Sequence, residues 1–586
     1  MMKAGTPIFV IHLFLFLAYS TASAGQKTDT SINIKDIRTP VIANGEDWSL
    51  PSFVEPLAGT GFFSEELAPL FDVHVRSIDV SWRQLNPSQG VYQMSGTGSA
   101  QGMNFGSLQS QLASSDPFWM RIWASGVDWA PEWVVSDCGI TETWEDYDGQ
   151  FHIPIWDPCV WNHLMDLYRQ VFITWNLRAD PRMIMLYAPG AFTWCEFDYE
   201  IIEQAAASGL TFSTFNTWFQ SAMPEMVDIF NGENQIGTDD YAHKIVFTGE
   251  DYPWGPWDGQ ANLLARDAVV AGCGIRTGIT EVFNFHLNHT PAYGSTITTD
   301  GHILTDESWP LLLDGRVIAT ENECFNDCGF TASDPYFAVK MANLKALQLR
   351  VNWLYVVPVE SYMAEYSEHW AWVRHSLGRQ PASAPDAWVA LREFQDLYWV
   401  DDESHNWTGK PWIHNFERWL VQKDVGTDGQ TRRGSEVRVN ELSPENGTSY
   451  EGRQTDHVAG QDYMYFFVDD LFMSGRAPII DIKVTFRDMG TAQWVIEYET
   501  ESGMTQTPAI QNMNSGTVKT ATFTIPDAVF SGNLPNSSDF RIFNGGSEDI
   551  ELKFVRIIRG AALLPFEDWP EHLNILAFIQ MMGAQP

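Results

Sequence analysis

Seven short runs in the first two thirds of the chain are rich in Val, Ile, Phe and Trp. They are VHVRSIDVSW (73–82), FWMRIWA (118–124), MIMLYA (183–188), KIVFTG (244–249), ITEVFNF (279–285), RVIATE (316–321) and NWLYVVPV (352–359). A strand with one wet face alternates apolar and polar residues; a run without that alternation is a strand covered on both faces. The segments between the runs change period. In WDPCVWNHLMDLYRQVFITWNL, the residues Val160, Trp161, Leu164, Leu167, Tyr168, Val171, Phe172 and Trp175 recur at helical spacing and form one apolar stripe. SDPYFAVKMANLKALQLR opens with Asp334 as N-cap and Pro335 at the first helical position, where its missing N–H costs nothing. An eighth strand is expected within the irregular stretch 40–62. This alternation predicts a (β/α)8 (TIM) barrel over residues 25–380. A doubly wound open sheet is the alternative, but no Gly-rich phosphate loop follows the first strands.

The pattern changes after about residue 380. GRQPASAPDAW reads as a Pro/Ala/Ser connector, and 381–432 as a Trp-rich, irregular stretch packing on the barrel. From 433 to 560, DYMYFFVDD, IIDIKVTFRD, AQWVIEYET, VKTATFTI, DFRIFNGG and IELKFVRIIRG are regularly spaced strands divided by turn residues. That pattern predicts an antiparallel β-sandwich able to close a core of its own and carrying no catalytic group. Residues 561–586 are read as a C-terminal tail. At the other end, Lys3, the apolar run Ile8–Tyr19 and the small residues Ala22-Ser23-Ala24 read as a secretory signal peptide, residues 1–24, cut near Ala24. No later run has the ~18 apolar residues of a membrane span. The expected location is therefore secreted or periplasmic, with no membrane partner once the signal is removed. An oxidising compartment permits disulfides. Cys138 with Cys159 and Cys324 with Cys328 are plausible pairs, though spacing alone does not fix connectivity. Cys324-x-x-x-Cys328 could instead bind metal, but no second Cys/His pair is suitably spaced nearby.

Charge narrows the function. The 586 residues hold 35 Lys and Arg against 75 Asp and Glu, a net charge of −40. Such a surface repels phosphate backbones and excludes nucleic acid as a partner class. It also disfavours a densely sulfated polymer, unless Arg76, Arg83 and Arg121 on the second and third strands form a local basic spot. The blander reading is that Arg76 and Arg121, set in or beside apolar runs, pair with buried acids.

In a (β/α)8 barrel, reactive side chains sit where strands end at the C-terminal face. Glu196 follows the fourth strand in MIMLYAPGAFTWCEFD, and Glu321 ends the seventh in RVIATENECFND. Two carboxylates facing each other across a barrel mouth can perform glycoside hydrolysis: one protonates the leaving oxygen, the other attacks the anomeric carbon or activates water. The plainer reading of any one such Glu is a solvated loop acid or helix cap. Glu323 is the alternative nucleophile, since residues two apart on a strand point the same way. Asp251 after the fifth strand and Glu360 after the eighth also lie on the mouth side, as sugar ligands or as surface acids. Among 25 Trp, several fall at strand ends or in the following loops: Trp82, Trp123, Trp194, Trp254 and Trp257. Each alone is more often core; together they supply stacking platforms for sugar faces. Arg83 joins them as a candidate substrate ligand. Asn284, His286, Asn288 and His289 are placed at the mouth as hydrogen-bonding groups; no carboxylate accompanies the His pair, so no metal and no cofactor are expected. No G-x-S-x-G, G-x-x-x-x-G-K-[ST] or H-E-x-x-H motif is present.

VRSIDVSWRQLNPSQGVYQ resembles the second-strand segment of family 42 glycoside hydrolases, and residues 155–198 resemble the helix and fourth strand of the large clan of retaining barrel enzymes to which they belong. The resemblance implies Glu196 as acid/base and Glu321 as nucleophile. It departs from the clan at Cys195, where the clan commonly has Asn. The whole layout, with VDDLFM and SDFRIFNGG in the sandwich, is similar to exported bacterial enzymes that degrade red-algal galactans of the agar and carrageenan type. The expected activity is hydrolysis of a β-linked polysaccharide, foremost a neutral or lightly sulfated galactan. The alternatives are a β-glucan or β-mannan hydrolase, and a barrel that binds carbohydrate without catalysis.

Overall fold

Both faces of the apolar strands are covered, as their lack of alternation requires. The computed structural model describes residues 39–65, 75–146, 148–190, 193–197, 199–231, 241–249, 263–277, 290–298, 302–313, 315–322, 335–356, 360–396, 415–438 and 447–560. Within them an eight-stranded parallel sheet is built from β1 (Gly61–Phe63), β2 (Arg76–Ser81), β3 (Phe118–Trp123), β4 (Met183–Tyr187), β5 (Ile245–Thr248), β6 (Gly274–Thr277), β7 (Ile318–Asn322) and β8 (Trp353–Val356). Neighbours follow chain order from β2 to β8, and β1 then pairs with β8, Trp353 opposite Gly61. The sheet curls. Phe63 on β1 meets Trp119 on β3 at 5.6 Å between ring centroids, and Trp119 meets Tyr355 on β8 at 6.4 Å.

Alternate residues along each strand go to two different cores. Ile78, Val80, Met120, Ile122, Ile245, Phe247, Ile275, Ile318 and Leu354 join the layer under the helices. Phe63, Trp119, Trp123, Tyr187, Val246, Ala319 and Trp353 form a second cluster inside the curl. The helix Pro158–Tyr168 lays the expected stripe on the outer layer. Its N-cap Asp157 accepts from Cys159 N at 2.8 Å and Val160 N at 3.2 Å, and Pro158 stands at its first position. Cys138 and Cys159 form a disulfide that joins this helix to the preceding one; Cys324 and Cys328 lie outside the described residues. No described helix is long and apolar enough to cross a membrane.

Three expectations change. The sixth strand is Gly274–Thr277, ahead of 279–285, which falls outside the described residues. Its inward positions hold Gly274 and Arg276, so it does not read as an apolar run. The described residues of 381–432, expected to be an irregular connector, include strands. Asp386–Asp396, here β9, is an inner strand of the larger antiparallel sheet, paired with both Glu551–Arg559 and Gly447–Gln454. Asn415–Arg418 pairs with it, and Leu420–Lys423 belongs to the second, facing sheet. The N-terminal strand Val41–Asn44, placed with the barrel by its position in the chain, instead pairs with Val518–Ile525.

The strand β9 serves two cores, which is why its sequence lacks one-faced alternation. Ala387, Val389 and Leu391 enter the core between the two antiparallel sheets. Trp388 and Ala390 enter the core of the parallel-sheet region, beside Trp48, Trp372 and Phe554. Charges cross the same seam. Lys340, on the helix Pro335–Gln348, ion-pairs with Glu46 at 2.7 Å and with Glu451. Arg556 donates to Asp386 at 2.8 and 3.0 Å, with both side chains buried. Burial alone would raise the Glu451 carboxyl, but Lys340 and Lys553 outweigh it and hold it well below the usual carboxylate range.

Replacing Lys340 by Ala leaves Glu46 without its cation and Glu451 with Lys553 alone, so Lys340→Ala is expected to lower stability by about 3–5 kcal/mol in denaturant unfolding. Because the folded Glu451 value is depressed, its contribution is present at neutral pH and fades as pH falls below about 4. Equal stability of variant and parent at pH 7 would show that the seam does not depend on this pair.

Candidate active site

The loop after β4 is fastened to the end of β5. Ala188 N donates to Val246 O and Phe197 N to Thr248 O, both at 2.8 Å, and Thr248 Oγ1 donates to Cys195 O at 2.8 Å. Between these ties the backbone is forced. Trp194 and Cys195 take the left-handed region, at φ 61° and 62°. Such a conformation costs a non-glycine residue about 1–3 kcal/mol. The Pro-Gly signal has a steric reason here: a Cβ on Gly190 would stand 2.1 Å from the backbone oxygen of Glu196. The result is a Glu196 side chain held at the C-terminal end of the sheet and 30% exposed.

Glu321 reaches the same place from β7. It shares the inward face with Ala319, pairs in register with Tyr355 and is 6% exposed. Between the two acids lies Arg276 of β6. One of its terminal nitrogens donates to Glu196 Oε1 and the other to Glu321 Oε2. The reach of one guanidinium with an acceptor on each side places the two bound oxygens at most about 8 Å apart. The guanidinium carbon also lies 5.8 Å from the Tyr187 ring centroid and 5.3 Å from that of Tyr355.

A second charged group sits beside the first. Arg121 of β3 donates to Asp79 of β2 at 2.7 and 3.3 Å and pairs with Glu65 at 3.1 Å. Trp123 Nε1 donates to Asp79 at 2.8 Å. Burial would raise the Asp79 carboxyl, but Arg121 and the Trp123 donor hold it below its ordinary value. Arg121 lies over three indoles, Trp119 at 4.5 Å, Trp194 at 5.1 Å and Trp123 at 5.4 Å. Tyr355 joins the groups: its hydroxyl donates to Glu65 and its ring lies against Arg276.

Of the residues singled out from sequence, Glu196, Glu321, Trp194 and Trp123 are brought together. Trp82 and Arg83 are not. Ser81 caps the helical turn Trp82–Leu85, its hydroxyl accepting from Gln84 N, and that turn takes Trp82 out of the strand's alternation into the outer core. Arg83 donates to Ala130 O and Val127 O at 2.9 Å and so braces a loop. Arg76 donates to Gln111 O at 3.0 Å and lies 3.6 Å from Asp116. Arg76, Arg83 and Arg121 are thus committed to protein partners and form no shared basic spot. Glu323, Asp251, Trp254, Trp257, Asn284, His286, Asn288 and His289 lie outside the described residues. Glu360 opens the helix Glu360–Glu365, and its side chain is not among those described.

Sequence reasoning missed Arg276, Asp79, Glu65, Tyr187 and Tyr355. The available signal was a single charge inside an apolar strand, as in SIDVS and GIRT. A buried Ser–His–Asp chain also went unnoticed. Ser125 Oγ lies 2.8 Å from His152 Nδ1, and His152 Nε2 lies 2.8 Å from Asp146 Oδ2. All three are buried, so Ser125 is no accessible nucleophile. Among the described residues, Cys138, Cys159 and His163 are the one group close enough to hold a metal, and the disulfide removes both thiolates.

No protein-family model and no curated protein matches the chain. Among solved structures, the chain is similar to the pullulanase type I from Bacillus subtilis complexed with maltose. The two share 9% identity over 82% of this chain and 72% of that one, at a TM-score of 0.25. A likeness that low carries no argument about function.

The free thiols give a check on this geometry. Burial pushes Cys195 far above the ordinary thiol range and Cys273 up to about 12. Neither is expected to react with iodoacetamide in the native protein near pH 8, and both should react after unfolding. Peptide mapping reads each site separately. Native labelling of Cys195 would show that the Glu196 loop is open to solvent.

Proposed function

We propose that this chain is a glycoside hydrolase acting on a β-linked polysaccharide, with Glu196 as acid/base and Glu321 as nucleophile. The observation that carries the reading is the convergence of the two acids, from a loop after β4 and from β7, on one guanidinium at the C-terminal end of the parallel sheet. Their exposures divide the roles. A group that exchanges protons with solvent and leaving group suits the more open Glu196. A nucleophile fixed before the substrate arrives suits the buried Glu321. The proposal includes a closed (β/α)8 barrel, supported by the pairing of β1 with β8 and by ring contacts from β1 to β3. It also includes retention of configuration. The ceiling of about 8 Å admits the ~5–5.5 Å of a retaining pair and the shorter part of the inverting range, so product stereochemistry is the deciding measurement.

For the substrate we infer a neutral or lightly sulfated galactan. The galactan itself rests on the resemblance of the whole layout. The preference for low charge rests on the site, where Arg121 and Arg276 are already paired with Asp79, Glu65, Glu196 and Glu321. The motifs VDDLFM and SDFRIFNGG serve the sandwich: Asp539 accepts from Val468 N at 2.8 Å and from Gly532 N at 3.1 Å. Phe466 and Phe540 stack across their strands at 4.8 Å. Export is part of the reading, and the Cys138–Cys159 disulfide fits an oxidising compartment.

One observation favours a second reading. Arg276 occupies an oxygen of each acid, a closed ion-pair group of the kind that also serves structure alone. On that reading the protein binds carbohydrate without cleaving it.

Reducing-end release and binding, measured on a panel of galactans, β-glucans and β-mannans, separate the two. If the protein is a hydrolase, Glu196→Gln and Glu321→Gln each lower kcat by about 10²–10⁴-fold or more while leaving binding largely intact. Binding without any release by the parent protein would support the second reading. Proton NMR of the first product is expected to show the substrate's own anomeric configuration.

Initial rates on desulfated and highly sulfated forms of one backbone test the charge preference. The desulfated form should be cleaved faster, most clearly at low salt, where screening is weakest. Faster cleavage of the sulfated form at low salt would overturn it.

A further inference from the structure

Glu65 lies two residues past Phe63, the last residue of β1. Phe63 faces the inside of the curl, and residues two apart on an extended chain share a side. Glu65 therefore stands just beyond the C-terminal end of a strand, as Glu196 does. Its side chain is 30% exposed, the same as that of Glu196, so a ligand can reach it. Two donors fix its position. Arg121 lies 3.1 Å from Oε1, and the Tyr355 hydroxyl donates to Oε2. Burial, with the Glu65 charge, pushes the Tyr355 phenol far above its ordinary range, so it stays a donor. A carboxylate offers about four acceptor positions, and among the described residues each oxygen of Glu65 meets one donor. Charge balance does not call for this acid. Arg121 is already matched by Asp79, which accepts from it at 2.7 and 3.3 Å and is 12% exposed. Glu65 is a second and more open carboxylate on the same guanidinium. Its two partners lead to the acid pair from different sides. The Tyr355 ring centre is 5.3 Å from the Arg276 guanidinium carbon, and Arg121 lies 5.1 Å over Trp194, two residues before Glu196.

We propose that Glu65 is a substrate-contacting carboxylate, accepting a hydrogen bond from a free hydroxyl of a sugar unit held at the end of the parallel sheet beside Glu196 and Glu321. The proposal rests on the glycoside hydrolase reading and deepens it by naming a residue that sets specificity. It gives a role to an acid that Arg121 does not need for neutrality. A preformed acceptor, held by Arg121 and Tyr355 before the sugar arrives, loses little freedom on binding. It selects for the hydroxyl it meets: a sugar without that hydroxyl leaves the carboxylate without its new donor and binds more weakly.

The test pairs a change in the protein with a change in the sugar. The probes are neutral tetrasaccharides of galactan, β-glucan and β-mannan; the tightest binder is then compared with its singly deoxygenated forms by calorimetry. Binding is read in the full chain carrying Glu321→Gln, so that nothing is cleaved, with and without Glu65→Gln. With Glu65 present, one deoxy form is expected to bind about tenfold or more weaker than the intact sugar. Glu65→Gln should shrink that difference to about twofold or less. A merely structural Glu65 would lower affinity for every sugar by one factor and leave the difference intact. That result, with Glu196→Gln and Glu321→Gln inactive, would overturn this proposal and leave the hydrolase reading standing. If Glu65→Gln fails to fold, as read by Tm, Glu65→Asp carries the same comparison, because it keeps the charge and draws it back by one bond. Retained activity in both Glu196→Gln and Glu321→Gln would overturn the hydrolase reading and this proposal with it. Failure to bind any of the three tetrasaccharides would also overturn the proposal.

Discussion

The Arg276 guanidinium is the interaction on which the end of the parallel sheet depends. Two carboxylates brought close in a poorly solvated place repel strongly, and removing each from water costs more still. Arg276 reconciles them by giving one terminal nitrogen to each acid. The same solution is repeated beside it, where Arg121 serves Asp79 and Glu65. Four acids and two guanidinia therefore share the inner end of the curled sheet, with Tyr355 touching both groups. The backbone follows from this arrangement. Glu196 can reach Arg276 only if its loop doubles back onto β5, which demands Gly190 and two left-handed residues.

Packing was the part of this design most legible in the sequence. Strands covered on both faces show as runs rich in Val, Ile, Phe and Trp, and six of the eight were visible for that reason. The eighth position in the sheet, β1, is only three residues long, too short to produce a pattern. β6 was displaced because its inward residues are Gly274 and Arg276. The two candidate acids were singled out because they sit at or beyond strand ends, where the barrel rule directs attention. Their partners were not, because Arg276 and Asp79 lie within strands, where one charge looks like an interruption of an apolar run. Trp82 misled for a local reason: the Ser81 cap starts a helical turn one residue early and changes which way the indole faces.

The character of β9 was hidden on similar grounds. A strand of an ordinary sandwich has one polar face. Over Ala387–Leu391 β9 has none, because Ala387, Val389 and Leu391 fill one core while Trp388 and Ala390 fill another. Its Pro-rich approach and its buried Asp386 and Arg392 add to the irregular look. A strand that belongs to two cores is hard to distinguish from an irregular segment packed on a surface. Both lack a period.

The antiparallel sheets are therefore part of what supports the candidate site, and a line of packed groups makes the link physical. Asn322 follows Glu321 on β7, and its side chain donates to Asn343 Oδ1 at 2.8 Å on the helix Pro335–Gln348. Asn343 Nδ2 lies 3.1 Å from His369 Nε2, and His369 meets Trp48 at 4.5 Å between ring centroids. Trp48 in turn packs on Phe554 of the larger antiparallel sheet at 5.0 Å. Each member is buried, so none can turn toward water if its neighbour is removed. Burial with Lys340 nearby lowers the His369 imidazole well below its ordinary range, which makes it a neutral packing and hydrogen-bonding group. A chain cut before β9 would strip Phe554 from Trp48 and Trp388 from Trp372, exposing indoles beneath the helix that orients β7. The link from the sandwich to the two acids runs through this packing. It determines how firmly the strand carrying Glu321 is held, and at distances set by one guanidinium that firmness is a condition of any chemistry there.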